Sequence, residues 1–302
     1  MIPRPATLVL FLTLGLSRPL QAQLGGLPEV QFSRLSQTDP NPLGAQALAI
    51  NPQDWKHAET EHFIYHFVHG YVATPVSTEA EFHYRVVVKE LERDSVAAES
   101  DTKSHIYIFE RPEDWKQFQG VGKLEPWTGG IHSQGSLFIV RNPAYKFTDN
   151  SLGHEIAHLV LHRFYPNGIP RWLDEGFAQY TSKNARASYQ RARGYIAKPR
   201  SRLVATDKVI PLATFVTMDY PTATEDVSAF YDQAERLVRF LAAKDKGSFL
   251  ALLDALARHQ PFESAVLRFY SGKFFSVAAI EEQFRAYASE DADSTVAVDA
   301  SQ

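Results

Sequence analysis

The chain contains no cysteine. That removes disulfides as a source of stability, and it removes thiolates as ligands for a closed structural metal site. A charge excess of either sign is missing too: 31 Lys and Arg stand against 35 Asp and Glu, leaving −4 with the signs mixed. Nucleic acid is therefore not an expected partner, since no basic footprint exists to track a phosphate backbone. Beyond the first residues no run is long and apolar enough to span a bilayer, and no internal repeat is visible. The hydrophobic share of 44% is ordinary, so stability has to come from a packed core.

The first residues read as an export signal. Arg4 supplies a positive start, and Ala6 to Leu16 forms an apolar run of about eleven residues, short for a membrane span. Leu20-Gln21-Ala22 ends in a small residue suited to cleavage, while Arg18 and Pro19 stop the run too early for an anchor. A signal peptide over residues 1–22 is expected. The mature chain is then exported, periplasmic or secreted, with no stable membrane span.

Residues 23–50 are rich in Gln, Pro, Gly, Asn and Ser, which predicts a linker or loosely ordered arm. Glu61 to Val68 alternates, with Phe63, Tyr65 and Phe67 on one face and His62, Ile64 and His66 on the other, as a strand does. Strand spacing would hold His62 and His66 about 13 Å apart, too far to share an ion, so both are expected at the surface or half-buried. Thr78 and Glu81 have the spacing of a capping box, with Tyr84, Val87, Val88 and Leu91 following at helical intervals. His105 to Phe109 and Ser136 to Val140 read as strands, and Pro112-Glu113-Asp114 opens a helix. Lys183 to Arg202 is basic and polar, a solvated face or loop. Helical periodicity returns from Ala229 to Ala257, broken near Gly247, and from Ala278 to Ala288. An acidic, disordered tail is expected over 289–302. The organisation that follows is a mixed α/β subdomain over 51–148 and a helical subdomain over 149–288.

The chemistry is concentrated between Ser151 and Tyr180. His154-Glu155-Ile156-Ala157-His158 is an H-E-x-x-H pattern. Residues four apart share a helix face, so the two imidazoles can meet one ion, while Glu155 lies about 100° round the axis and can reach a water beside it. Asp149 and Asn150 are N-cap residues ahead of the motif, and Leu152, Ile156, Leu159 and Val160 form an apolar stripe on another face. Pro166-Asn167-Gly168 turns the chain. Pro170 can open a second helix, on which Glu175 faces back as third ligand. Two histidines and a carboxylate with one position left for water make a catalytic zinc set, expected to hold one Zn2+. Asp174 either orients a ligand histidine or favours the helix N-terminus. His162, one turn past His158, suits a helix end near the negative dipole.

His154-Glu155-x-x-His158 followed by Trp172-Leu173-Asp174-Glu175-Gly176-Phe177-Ala178 resembles the gluzincin metallopeptidases, the clan of thermolysin and the zinc aminopeptidases. The likeness covers roughly residues 150–240, with a shorter link between the second histidine and the glutamate, as in small peptidase-MA-like proteins. It implies an α+β, thermolysin-like zincin: a small mixed β-sheet subdomain, a mainly helical C-terminal subdomain, and a cleft between them. It also implies that Glu175 is the third zinc ligand and Glu155 the general base for peptide-bond hydrolysis. In the aminopeptidases a tyrosine ahead of a later apolar helix stabilises the oxyanion, and Tyr231 in Phe230-Tyr231-Asp232-Gln233-Ala234 stands in a similar place. Gly130 to Gly135 would be the sheet edge that binds extended substrate. There the aminopeptidases carry a glutamate for the free amine, whereas this chain has Gly-Gly-Ile-His-Ser-Gln. That departure points to internal bonds of a peptide or protein substrate and leaves His132 as a candidate substrate contact. Metzincins take a histidine six positions past the second, where this chain has Phe164. The alternatives are a zinc-binding interaction domain without proteolysis and a gluzincin-like hydrolase of a non-peptide bond.

Overall fold

The computed structural model describes residues 26–94, 102–126, 128–141, 151–192, 194, 209–219 and 224–287. The expected signal segment over 1–22, the tail over 289–302, the capping pair Asp149 and Asn150, and the basic stretch 195–202 lie outside the described residues.

Six strands form one mixed sheet in the spatial order β1-β2-β3-β4-β6-β5. They are β1 (Glu29–Val30), β2 (Lys56–Glu59), β3 (Phe63–Phe67), β4 (Ser104–Phe109), β5 (Gly130–Ser133) and β6 (Ser136–Val140). The joins β3 to β4 and β4 to β6 are parallel, and the others antiparallel. Parallel neighbours need crossovers. Helix α2 (Gly70–Glu90) lies between β3 and β4 in the chain, and α3 (Pro112–Gly122) lies between β4 and β5. Strands β5 and β6 form a hairpin through Gln134 and Gly135, both at positive φ (45° and 83°), the twist-matched geometry of a two-residue turn. The hairpin leaves β5 as an edge.

Both sheet faces are covered. Phe63, Tyr65, Phe67, Ile106, Ile108, Leu137 and Ile139 join the main core, and Tyr107, Phe109 and Phe138 pack on the other side with Trp115 and Phe118 of α3. This explains why every side chain of β3 and β4 is buried, beyond the one-sided burial that alternation alone suggests. The short α1 (Pro42–Leu48) also lies on that second face. Asn41 caps it by accepting from the Leu43 N–H, and donates from Nδ2 to the Ser133 carbonyl at 2.7 Å. Residues 26–50, expected as a linker or loose arm, thus include a strand, a capped helix and sheet contacts.

The helical half comprises α4 (Ser151–Phe164), α5 (Arg171–Ala192), α6 (Leu212–Phe215), α7 (Thr224–Lys244), α8 (Lys246–Leu256), α9 (Phe262–Phe269) and α10 (277–287). The mixed α+β character expected from the sequence is observed. One core crosses the boundary expected at 148/149, since Val76, Ile106 and Leu137 share it with Leu152, Trp172 and Leu237. Among the described residues no helix is long and apolar enough to cross a membrane.

Several local expectations need correction. Helix α2 begins at Gly70, so Thr78 lies inside it and bonds back to the Thr74 carbonyl at 3.1 Å. Glu81 also lies inside the helix, and its carboxylate accepts from the His62 N–H and pairs with its ring at 2.6 Å. Residues 183–192 are helical, continuing α5. The break expected near Gly247 falls at Asp245, whose carboxylate caps α8 through Ser248 N–H. Helix α9 had no counterpart in the sequence reading.

His66 is buried, not half-exposed. Its Nδ1 lies 2.8 Å from His57 Nδ1 and its Nε2 lies 2.9 Å from His105 Nδ1, so three adjacent strands carry a chain of imidazoles. Each contact needs one N–H and one lone pair. A neutral imidazole supplies one of each, so the chain closes with all three rings uncharged. Burial holds His66 well below its usual 6.5, with the charges of His105 and His57 adding to the shift. Burial also lowers His57 and His105, opposed in the latter by Asp39 and Glu59. The unfolded chain therefore binds more protons below about pH 6.5, and stability is lost as pH falls from there towards the folded values. Each imidazole still neutral at pH 5 should cost about 2 kcal/mol there, read as a fall in denaturant midpoint. His66→Leu should be less stable overall yet show a flatter acid slope; an unaltered slope would clear the chain of that role.

Candidate metal centre

Helix α4 presents its histidines because its other side is committed to the core. Leu152, Ile156, Leu159 and Val160 are buried as the apolar stripe predicted. His154 and His158 then stand one turn apart with their Nε2 atoms 3.0 Å from each other. Gly153 sets the height of this turn, since a Cβ there would lie 2.4 Å from the His83 ring of α2. His83 is a buried neighbour that the sequence did not single out.

Helix α5 delivers the carboxylates. Pro170 stands just ahead of it, outside the first helical position, and its carbonyl accepts from the Leu173 and Asp174 N–H groups. Trp172, Leu173, Phe177 and Ala178 are fully buried and fix the rotation of the helix. Gly176 lets α5 meet α7 closely, because a Cβ there would lie 2.4 Å from the Ala234 carbonyl oxygen. Glu175 consequently faces α4, its Oε2 3.3 Å from His154 Nε2 and 3.4 Å from His158 Nε2. The three residues offer ligand atoms within 4.8 Å of one another. His154, His158 and Glu175 are thus brought together as the spacing predicted.

The two oxygens of Glu175 have different surroundings. Oε1 is paired with Arg171 at 2.7 Å, a partner one turn earlier that the sequence reading overlooked. Oε2 is buried without a hydrogen bond of good geometry. Burial opposes the charge of Glu175, but His154 and His158 outweigh it and hold the carboxyl well below its usual range. Burial likewise disfavours charge on His158, yet Asp174 and Glu175 push it up to about 10. Two buried carboxylates flank these rings and call for a positive charge between them. A divalent cation fits the same place: one orphaned carboxylate oxygen and two imidazole nitrogens converge, a set suited to zinc or a similar ion.

Asp174 bridges two rings. Its Oδ1 lies 2.6 Å from His158 Nδ1 and its Oδ2 2.9 Å from His162 Nε2. Asp174 fits both roles open to it, since it stands in the first turn of α5 and also contacts the His158 ring. His162 stands in the last turn of α4, as its helix-end reading expects, and it also engages this carboxylate. The i, i+4 spacing of His158 and His162 was the available signal.

Glu155 lies on the flank of the cluster, against the sheet edge. Its Cγ is 3.5 Å from where a Cβ on Gly130 would sit, and its carboxylate accepts a hydrogen bond from the His132 backbone. Burial pushes its pKa up, while His154 and His158 pull it down. His132, by contrast, is lowered to about 4 by burial and by the neighbouring His162 and His158. Its ring lies 5.2 Å from that of His162. Tyr231, on α7, is partly buried with its ring 6.5 Å from that of His154.

Compared with known families and characterised proteins, the sequence matches no family model and no characterised protein. The chemistry is therefore read from the site itself.

The contact of Gly176 with Ala234 involves backbone on the far side, which no rotamer change relieves. Gly176→Ala should destabilise the fold by about 1–3 kcal/mol and displace Glu175, read as a lower Tm. A variant that melts like the parent would show that the α5–α7 contact has slack.

Proposed function

We propose that this chain is an exported zinc-dependent metallopeptidase of the gluzincin type, with a thermolysin-like division into sheet and helical halves. The observation that carries the reading is the convergence of Glu175 Oε2 on the two Nε2 atoms of an H-E-x-x-H helix, with Glu155 on the flank. His154, His158 and Glu175 would hold the ion. Zinc so held supplies Lewis acidity, polarising a carbonyl and lowering the pKa of water towards about 7.

The remaining chemistry belongs to side chains. Glu155 accepts the proton of the attacking water and hands it to the leaving amine. Its partly desolvated setting suits a group that must both take and return a proton. Tyr231, beside His154, is the candidate donor to the oxyanion. Substrate would lie extended along β5, whose outer edge pairs with no strand among the described residues. Residues 130–135 hold no acid for a free amine, which favours internal peptide bonds over the N-terminus.

The test pairs metal analysis with hydrolysis of an extended peptide library. Purified protein should carry about one zinc per chain and lose activity to chelators. Glu155→Gln should keep its zinc and lose hydrolysis by about 10²–10⁴-fold. Tyr231→Phe should lower kcat by about 10²-fold. Metal-free, chelator-indifferent protein would end the proposal, as would full hydrolysis by Glu155→Gln.

A further inference from the structure

We infer that His162 is a positioning residue of the metal centre: it fixes Asp174, and through Asp174 the ring of His158. The inference rests on the proposed metal site.

A carboxylate held at one oxygen can still swing, because the terminal torsion of aspartate is broad. Asp174 is held at both: His158 Nδ1 lies 2.6 Å from Oδ1, and His162 Nε2 lies 2.9 Å from Oδ2. The two rings stand one turn apart on α4 and the carboxylate reaches across from α5, so the bridge also sets the spacing of these helices. With its plane fixed, Asp174 dictates the direction of the His158 Nδ1–H bond. That direction leaves the opposite nitrogen facing Glu175 Oε2 at 3.4 Å. Outer partners of this kind set the tautomer and orientation of a ligand imidazole.

The bracing matters more here because it is one-sided. His154 Nδ1 is buried with no hydrogen-bond partner among the described residues, so none of them braces His154 as Asp174 braces His158. His162 is itself confined on one side by His132, whose ring lies 5.2 Å away and whose Nε2 accepts from the Gly135 N–H at 3.3 Å. His158, His162 and Asp174 also offer atoms close enough for an ion of their own. A second ion there would need His158 Nδ1 while Nε2 serves the first, so the imidazole would have to bridge as an anion. The hydrogen-bonded bridge needs only neutral rings.

The test measures zinc dissociation constants by competition with a chelator for the parent, His162→Leu and His162→Gln. Glutamine places an N–H donor near the position of Nε2, whereas leucine has none. Leucine should weaken zinc binding by about 10–100-fold, with glutamine recovering most of the loss. Zinc-free forms that melt alike would confirm that the fold is unaffected. Should His162→Leu fail to fold, His162→Asn, whose amide stops short of Asp174, takes its place. Equal zinc affinity in all variants overturns the inference while leaving the metal centre intact, as does a glutamine variant no better than leucine. A second zinc in the parent that His162→Leu abolishes overturns it too. Parent protein that binds no zinc instead removes the reading on which it rests.

Discussion

A buried carboxylate oxygen facing two imidazole nitrogens is the interaction on which the site depends. Glu175 Oε2 lies 3.3 and 3.4 Å from those nitrogens, with no hydrogen bond among the described residues to offset its burial. At an effective dielectric of about 20, opposite unit charges this close attract by roughly 5 kcal/mol. Burying each ion costs several kcal/mol, so a singly protonated arrangement gains little net stability. A charge of +2 at the same point meets Glu175 directly and Asp174 through His158. The local electrostatics therefore suit a cation at this point.

What holds this arrangement is close approach at two glycines. Gly153 admits the His83 ring against α4, and Gly176 admits the Ala234 carbonyl against α5. At Gly176 the neighbour is backbone, which cannot rotate away, whereas at Gly153 it is a buried side-chain ring held by close packing. The sheet contributes from the other side. Gly130 and the His132 amide border Glu155, so the edge strand and the carboxylate are positioned together. A shared core through Ile106, Leu137, Leu152 and Leu237 links these pieces, and the cluster geometry draws on both halves of the chain.

How much of this was legible in the sequence follows from how local each feature is. The pairing of His154 with His158 needs only helical periodicity, and the approach of Glu175 needs one turn and a second amphipathic helix. Both could be read. The bond from Asp174 to His158 depends on the rotation of α5 about its axis. That rotation is set by the burial of Trp172 and Phe177, so sequence left two roles open. The engagement of His162 follows from the same rotation and was missed. Thr78 and Glu81 imitate a helix start, but Gly70 begins α2 eight residues earlier and Glu81 is needed by His62. The stretch before residue 50 reads as a linker because capped turns draw on the same Pro, Asn and Gly as disorder does.

The molecule holds two groups of close imidazoles, and comparing them shows why histidine proximity alone does not make a metal centre. In the His57, His66 and His105 chain the middle ring spends both nitrogens on its neighbours, so no set of lone pairs converges on one point. The stacked Tyr107 ring, 4.4 Å from His66, adds an aromatic wall, and burial lowers all three basicities. Around His154 and His158 the arrangement is reversed. Asp174 and Glu175 raise the basicity of His158, and the Nε2 atoms point at a shared position that a carboxylate oxygen also faces. Carboxylates and convergent lone pairs together call for a cation; without them, the same side chain in a buried setting forms a neutral hydrogen-bonded strut.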